Sequence, residues 1–343
     1  MTAVLTVNPG SNSLQAVLVD AESEEVLARA TDEAGLDDLL DRDLAAVGHR
    51  LVHGGSQVTK PTIVDDDVVK AVEAASSLAP LHVPVTVRLL AKLRERLPNV
   101  PHVVCPDTAF HRNLPSVAHT YALPAEWREK FGLRRYGFHG LSYAWAASQV
   151  QRPNILAAHL GGGCSACAIQ DGRSIDTSMG FTPLDGVPMT KRSGSVDPGL
   201  LLWLLDQGLT VDEVRDGLYT RSGLLGLSGG ISDDTRELVA AEDDQAAFAL
   251  AVFAHRVRRE LAALATNFDH IDALVFTGEI GWDQPEVREA VCVGLGVLGI
   301  HSGLAGNRDD DGPVSPPDAD VPVFVVRPRE DLQLCRETVR ALA

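Results

Sequence analysis

The sequence predicts an α/β protein built from two related domains. Strand-like apolar runs alternate with helical ones along the chain, which is typical of sheets covered by helices. The 343 residues exceed what one hydrophobic core usually serves. A strand, a glycine turn and a second strand also occur twice, near the start of each half. We therefore expect two similar domains that face each other across a cleft.

The first strand-turn-strand stretch reads VLTVNPGSNSLQAVLVD. Its turn is longer than a tight two-residue hairpin needs, and it places Asn8, Ser11 and Ser13 around Gly10. Backbone N–H groups can converge on phosphate oxygens in such a turn, because glycine lets the chain approach closely. From these residues alone two interpretations stand, a phosphate cradle and an ordinary polar turn.

Helix signals follow along the chain. Residues 65–78 begin with three Asp, which favour a helix N-terminus, and then repeat apolar positions at helical spacing. Pro84 marks the start of another helix. Thr210 and Glu213 form a capping-box pair, and residues 245–266 have the pattern of a long amphipathic helix.

Two later stretches again join strands to glycine turns. NILAAHLGGGCSACAIQDG repeats the architecture of the first hairpin rather than its residues, and IDALVFTGEIGWD is a buried strand that runs into a glycine loop before a helix at 285–298. Glycine loops after strands often approach nucleotides. Together the three stretches indicate a cleft for phosphate transfer. A loop at 306–320, the buried strand VPVFVV and a final helix complete the chain.

The composition bounds the partners and the compartment. A net charge of −17 argues against nucleic acids and anionic membranes as partners, so an anionic substrate needs a locally basic pocket. No apolar run approaches the ~20 residues of a membrane helix, and no basic leader opens the sequence. Five scattered cysteines fit a reducing compartment. We expect a cytoplasmic protein in which Cys164 and Cys167 are buried small side chains rather than metal ligands.

Seven segments then carry a family resemblance: GHRLVHGG, LAPLH, DTAFH, RRYGFHG, DTSMGFTPLDG, SGSVDP and SGLLGLSGG. They occur in the order found in acetate kinases, and the resemblance runs from Val4 to about Leu342. It implies the duplicated actin-like (ribonuclease H-like) fold with a central cleft, and it identifies NPGSNS as the first phosphate hairpin. The chain is short for the family, since only 29 residues separate Asp20 from Arg50.

The resemblance also implies an organisation and an assembly. The first domain is expected to comprise 1–110 and 331–343, and the second 111–330, with closure of the cleft when ligands bind. A homodimer through the second domain is expected, and the apolar runs LLLWLL and FALAVFAHRV agree with it. The same runs would also suit the core of a monomer.

Four residues take catalytic roles by resemblance: Arg50, Asp107, His139 and Arg192. A carboxylate acceptor is already ionised near neutral pH, so transfer needs alignment and cationic stabilisation rather than a strong base. Arg50 and Arg192 would supply that from opposite cleft walls, His139 would donate to the phosphoryl group, and Asp107 would order the arginines or a metal-bound water. Read alone, the arginines would be surface residues and the histidine a structural one.

Metal and substrate positions follow from the same resemblance. Asn8 and Glu330 resemble holders of Mg²⁺, with Mn²⁺ as an alternative, although Glu330 would also suit a helix N-terminus. Val52, Leu81 and Phe138 resemble the apolar wall around the methyl end of acetate, which discriminates poorly against propionate. His82 and His159 complete the polar lining or are buried core histidines. The phosphate and nucleotide positions are Ser11, Ser13, His159, Gly161, Gly162, Gly163, Asp234, Thr235, Arg236, Gly278, Glu279, Ile280 and Gly281.

Several positions depart from the family pattern. The family generally has Lys at Gln15, Asn at Gly162, Asn at Val83 and His at Tyr143. In the loop aligned with the adenosine-binding GIGEN motif, Glu279 takes the place of the second Gly, Trp282 replaces the Glu, and Thr235 replaces an aromatic residue.

The expected activity is Mg²⁺-dependent, reversible phosphoryl transfer to a short-chain carboxylate such as acetate. The small-molecule partners are that carboxylate and a phosphoryl donor, ATP or, given the departures at the base site, another nucleotide or pyrophosphate. A paralogue that binds a phosphorylated ligand without turnover is the alternative of another class.

Overall fold

The computed structural model describes residues 3–10, 14–80 and 82–343. In this part of the chain the strands form two six-stranded sheets. The first sheet contains β1 (Ala3–Pro9), β2 (Leu14–Asp20), β3 (Val26–Ala30), β4 (Ala46–Leu51), β5 (Thr62–Ile63) and β6 (His102–Pro106). The second contains β7 (Asn154–Leu160), β8 (Cys164–Gln170), β9 (Arg173–Thr177), β10 (Ala273–Thr277), β11 (Gly312–Pro313) and β12 (Val323–Val325).

The two sheets repeat one topology. Their strand orders are β3-β2-β1-β4-β6-β5 and β9-β8-β7-β10-β12-β11. Each has an antiparallel three-stranded meander, two strands parallel to its first strand, and a short antiparallel edge strand. Even a register shift recurs after the fifth residue of the second strand, at Leu18 and at Ala168. The predicted α/β fold with two related halves is therefore confirmed.

Helices pack around both sheets. They are α1 (Glu33–Leu40), α2 (Asp66–Ala74), α3 (Val83–Arg96), α4 (Ser116–His119), α5 (Ala125–Phe131), α6 (Gly140–Val150), α7 (Pro198–Asp206), α8 (Val211–Thr220), α9 (Gly223–Leu227), α10 (Thr235–Ala240), α11 (Asp244–Ala265), α12 (Gly278–Asp283), α13 (Pro285–Cys292) and α14 (Glu330–Leu342). Short 3₁₀ turns cover Ala75–Ser77, Asp107–His111 and Gly296–Leu298. Within the described residues no helix has the length and apolar character that crossing a bilayer demands.

The caps at several helix starts match the sequence signals. The Asp65 carboxylate accepts the Val68 N–H at 2.8 Å, and Thr210 and Glu213 form the predicted capping box. The helix predicted over 65–78 ends at Ala74 and continues as a 3₁₀ turn. Side-chain and backbone acceptors thus satisfy the first N–H groups of these helices.

The sequence predicts a glycine loop after IDALVFT, and this prediction is wrong. Helix α12 begins directly at the end of β10. Gly278 makes this abrupt entry possible by taking a φ of +79°. A Cβ there would lie 2.3 Å from the Leu160 carbonyl oxygen. The backbone of α12 is therefore held against the end of β7, next to the second hairpin. The helix predicted at 285–298 is likewise shorter, ending at Cys292 before a 3₁₀ turn.

The layer that connects the two sheets contains α6 and α14. Trp145 of α6 shares a buried apolar cluster with Val4 of the first sheet and Ile155 of the second. The last helix reaches the first sheet closely, since a Cβ on Gly48 of β4 would lie 2.2 Å from Thr338 Oγ1. All five cysteines are buried and free of disulfides, as predicted for the CxxC pair.

Candidate active site

A cavity of about 800 Å³ lies between the two halves of the chain. Asn8, Arg50 and Asp107 line it from the first half, at the carboxyl ends of the adjacent parallel strands β1, β4 and β6. His139 and Arg192 line it from the second half. Carboxyl ends of parallel strands meet at one edge of a sheet, so residues distant in sequence converge there.

Arg50 is the centre of a hydrogen-bonded cluster at this edge. Its Nη2 donates to Asp107 Oδ2 at 2.7 Å, and its Nε donates to the same carboxylate at 3.1 and 3.2 Å. Its Nη1 reaches Asn8 Oδ1 at 3.0 Å and Glu330 Oε2 at 2.8 Å. Asn8 in turn donates to Glu330 at 3.1 Å. The fork of the guanidinium is thereby fixed in one orientation.

The charges of this cluster support one another. Burial lowers the pKa of Arg50, but the carboxylates of Asp107 and Glu330 outweigh that effect and raise it above its ordinary value. Burial raises the pKa of Asp107, and the guanidinium of Arg50 opposes the rise. Arg50 therefore remains a cation.

His139 lies directly before α6 in a left-handed conformation with φ +57°, which is uncommon for residues other than glycine. Its ring stacks on His159 with centroids 4.1 Å apart. Its Nδ1 lies 2.8 Å from Ser165 Oγ, which lies 2.6 Å from the Tyr143 hydroxyl. Its Nε2 lies beside Gly163 of the second hairpin, 3.0 Å from where a Cβ would stand.

The polar chain behind His139 bears on the position of its proton. Burial lowers the pKa of His139 well below its ordinary value and raises the pKa of Tyr143 well above its own, so both groups are neutral. If the Tyr143 hydroxyl donates its hydrogen bond to Ser165 Oγ, the Ser165 hydroxyl can donate its own to Nδ1 of His139. The Nε2 of His139 then carries the ring proton and presents a donor to the cleft. Tyr143 thus contributes to this network.

Arg192 occupies the opposite wall without a carboxylate partner among the described residues. Its Nη1 donates to the Pro183 carbonyl at 3.0 Å and lies 3.7 Å from Met189 Sδ. Burial lowers its pKa. His82, whose pKa falls to about 4, is depressed by burial first and then by both Arg192 and Arg50. Both guanidinium groups therefore act electrostatically on the same small region.

The predicted apolar wall is partly described. Val52 and Phe138 are buried and line the cleft beside Pro183. Leu81, with Ser11 and Ser13 of the first hairpin, lies outside the described residues. His159 lines the cleft as expected. Its Nδ1 contacts Ser142 Oγ at 2.9 Å, and burial lowers its pKa to about 3.

A side cavity of about 360 Å³ continues from the second hairpin. Gly162, Arg236 and Glu279 line both this cavity and the main cleft, so the two spaces meet there. Asp234, Thr235 and Ile280 line the side cavity alone. A Cβ on Gly162 would meet open space, whereas Glu279 Oε2 would lie 3.4 Å from a Cβ on Gly161. Glu279 therefore stands at the junction between the phosphate hairpin and the side cavity.

The remaining glycines of the predicted set have packing roles as well. Gly278 permits the start of α12, and Gly281 lies against Leu160 and Phe276. Arg236 forms an ion pair with Asp283 of α12. The contact raises the pKa of Arg236, and it ties α10 to α12 across the side cavity.

The oxygen donors at the first edge suit a hard divalent cation. Asn8, Asp107 and Glu330 offer one amide oxygen and two carboxylates within one hydrogen-bonded cluster. In the described part of the chain no three His, Cys, Asp or Glu side chains converge as a metal cage. Mg²⁺ commonly takes only one or two carboxylates and completes its shell with waters and substrate phosphates, so the donor set fits that ion.

Three cleft arginines were missed from the sequence: Arg29, Arg327 and Arg329. Arg327 stacks over Trp282 at 4.9 Å, and Arg329 pairs with Asp331 at 3.0 Å. The signal was present in VVRPRE, where basic residues follow the carboxyl end of a buried strand. Only the parallel pairing of β12 with β10 brings that end to the cleft.

Comparison with known proteins gives one consistent result. The family model described as the acetokinase family matches residues 33–336. The acetate kinase of Deinococcus deserti is 41% identical in an alignment 357 positions long, which covers 99% of this chain and 89% of that protein. A propionate kinase structure from Francisella tularensis aligns with a TM-score of 0.90 at 31% identity, covering 99% of this chain and all of the other. The acetate kinase structure from Porphyromonas gingivalis aligns with a TM-score of 0.89 at 30% identity, covering both chains completely. This chain belongs to the acetokinase family.

Proposed function

We propose that the protein transfers the γ-phosphoryl group of ATP to acetate, or to a close homologue such as propionate, in a reversible, Mg²⁺-dependent reaction. Family membership makes the chain a phosphotransferase with a carboxyl group as acceptor. The observation that carries the proposal is the convergence of Arg50, His139 and Arg192 on one cleft from two halves of the chain. Three groups able to donate to phosphoryl oxygens then surround the position of transfer.

The acceptor is expected to lie with its methyl group against Val52 and Phe138 and its carboxylate toward Arg50. An apolar wall of this kind separates acetate from propionate by only ~1–3 kcal/mol per methylene. Asp107 and Glu330 prevent the guanidinium of Arg50 from turning away. The carboxylate therefore arrives in line with the donor, which is the main requirement for a nucleophile that is already ionised.

His139 and Arg192 act on the group in transit in this proposal. The ring nitrogen Nε2 of His139 donates one hydrogen bond from a neutral ring, and Arg192 supplies the positive charge. A guanidinium without a carboxylate partner keeps its charge available for a phosphoryl oxygen. Asn8 and Glu330, with Asp107 beside them, would hold Mg²⁺, which when bound neutralises donor phosphate charge.

The domains are proposed to be 1–110 with 331–343, and 111–330, closing over the bound substrates. Arg50 belongs to the first and Arg192 to the second, so an open cleft leaves the two cations apart. Closure would also exclude water, which otherwise competes with the carboxylate for the phosphoryl group.

The test is direct detection of the acyl phosphate. Purified protein with acetate, ATP, Mg²⁺ and hydroxylamine is expected to form acetohydroxamate, and chelation of the metal is expected to abolish it. Parallel reactions contain propionate as acceptor and GTP or pyrophosphate as donor. No hydroxamate with any pair, from protein shown to be folded by circular dichroism, would contradict the proposal and favour a non-catalytic phosphoryl-ligand protein.

Glu279→Gly is expected to lower the KM for ATP several-fold with little change in kcat. The carboxylate stands where the hairpin meets the side cavity proposed for the nucleoside, so it adds volume and negative charge beside the polyphosphate. Initial rates at saturating acetate measure the effect, and Glu279→Gln separates charge from size.

Glu129→Gln, at an exposed position outside both cavities, is the charge control for Glu279→Gln and is expected to leave the ATP KM unchanged. An ATP KM that does not change in Glu279→Gly would show that Glu279 leaves the donor site open. A lower KM for pyrophosphate than for ATP in the wild type would point to a donor without a nucleoside.

We also propose a homodimer through the second domain. Helix α7 exposes Leu202 and Trp203 by 65% and 55%, and the structure describes no buried residue in this strongly apolar helix. Exposed apolar patches of this kind mark protein interfaces. Light scattering at micromolar concentration is expected to give twice the chain mass for the wild type. The Trp203→Asp variant is expected to give the mass of a single chain. A monomeric wild type would contradict the proposal.

A further inference from the structure

A second cavity, of about 760 Å³, shares no lining residue with the catalytic cleft. It is nevertheless built from elements that carry a cleft residue or directly follow one. The 3₁₀ turn that begins at Asp107 contributes Phe110 to it, α6 contributes Leu141, and α14 contributes Gln333. Its volume is within the range of sites for small ligands.

Cations are concentrated around this cavity. It is lined by Lys60, Arg112, Arg173, Arg336 and Arg340, whereas Glu337 is the one carboxylate among the described residues that line it. The whole chain has 47 acidic and 30 basic residues. A concave surface with this excess of positive charge attracts anions even though the protein as a whole repels them.

Three of the cations have no carboxylate partner in the described part of the chain. Arg336 pairs with Glu24 and Arg340 with Glu337. The Arg112 side chain donates to the Ala109 carbonyl at 3.2 Å and pairs with no carboxylate of the described residues. Lys60 and Arg173 are exposed at the cavity and take part in no ion pair there. Their charges are free to meet a ligand, and guanidinium groups suit phosphate and carboxylate oxygens.

We propose that this cavity is a regulatory site for a small polyvalent anion that carries phosphate or carboxylate groups. Three unpaired positive charges call for a ligand with at least two negative charges, since a single carboxylate would leave the cavity strongly cationic. The site is distinct from the one that binds the acceptor and donor, because the two cavities have separate linings.

Tight packing joins the two cavities. A Cβ on Gly140, the first residue of α6, would lie 2.0 Å from the Asp107 carbonyl oxygen and 2.7 Å from Phe110 Cβ. The start of α6 and the 3₁₀ turn therefore cannot shift independently. An anion that draws Arg112 and Arg173 together would move the turn that holds Asp107, and with it Arg50. This effect on the reaction rests on the proposed function, but the binding itself does not.

Isothermal titration calorimetry tests binding with two probes, propane-1,2,3-tricarboxylate and inorganic pyrophosphate. The double variant Lys60→Ala/Arg173→Ala is expected to bind the active probe at least about tenfold more weakly than the wild type. Pyrophosphate could also bind in the catalytic cleft. If it is the active probe, its affinity for the second cavity is the one expected to fall in the variant. Lys130→Ala/Arg259→Ala removes the same charge from exposed positions outside both cavities and is expected to bind like the wild type.

The probe that loses affinity identifies the ligand class, carboxylate or phosphate. Equal binding by the wild type and Lys60→Ala/Arg173→Ala, or no binding of either probe beyond the cleft site, would overturn the proposal. In the hydroxamate assay the tricarboxylate is expected to change the rate of the wild type without competing with acetate. If calorimetry shows binding at this site but the tricarboxylate leaves the rate unchanged, the cavity is an anion site without a regulatory role.

Discussion

Replacing Arg192 with Ala is expected to lower kcat by about 10³-fold or more while the fold stays intact. An arginine that stabilises the charge of a phosphoryl group in transit contributes effects of this size. Arg192 has few partners to lose, since its described contacts are the Pro183 carbonyl and Met189 Sδ. The hydroxamate assay measures the rate, and millimolar guanidine is expected to restore part of it.

Arg50→Ala is expected to lose activity to a similar extent and to lose stability as well. It leaves the buried carboxylate of Asp107 without its partner, and breaking such a pair typically costs about 3–5 kcal/mol. Urea denaturation distinguishes the two substitutions, because only Arg50→Ala should lower the midpoint of unfolding strongly. Arg94→Ala, which removes an exposed ion pair with Asp66, is the control for both. Near-wild-type rates in both arginine variants would contradict the proposed roles.

Acid is expected to destabilise the protein steeply below pH 6.5. Burial lowers the pKa of His49 and His159 to about 3, and that of His53 and His111 to about 4. In the unfolded chain each would have a pKa near 6.5. Because the unfolded state then binds more protons, this contribution is fully present above pH 6.5 and is lost as the pH falls toward 3.

The size of the acid effect follows from proton linkage. At pH 5 each of these histidines favours the unfolded state by about 2 kcal/mol, against a total stability of about 5–15 kcal/mol for a typical protein. The free energy of unfolding in urea, measured from pH 8 to pH 5, gives the slope. His49→Gln is expected to reduce that slope by about one proton, whatever its effect on absolute stability. A flat profile over this range would show that the four rings titrate normally.

Local sequence patterns predicted those parts of the molecule that depend on neighbouring residues. The strand, glycine turn and strand of NILAAHLGGGCSACAIQDG appear as β7 and β8, and the capping box of Thr210 forms as expected. Caps and hairpins are decided within a few residues, so their signals survive in the chain itself. The prediction of a glycine loop after β10 was wrong, because GEIGWD forms a helix once Gly278 makes the turn.

The sequence by itself determined the alternation of strands and helices, the two hairpins and the motifs that name the family, because those are properties of short segments. Only the tertiary structure decided that Asn8, Arg50 and Asp107 meet, and that Glu330, which is 280 positions beyond Arg50, closes on the same guanidinium. Parallel pairing of β1, β4 and β6 sets the first contact, and packing of α14 against that sheet sets the second. The charge of Arg50 and the neutrality of His139 likewise depend on burial and on partners from distant segments, which no local pattern records.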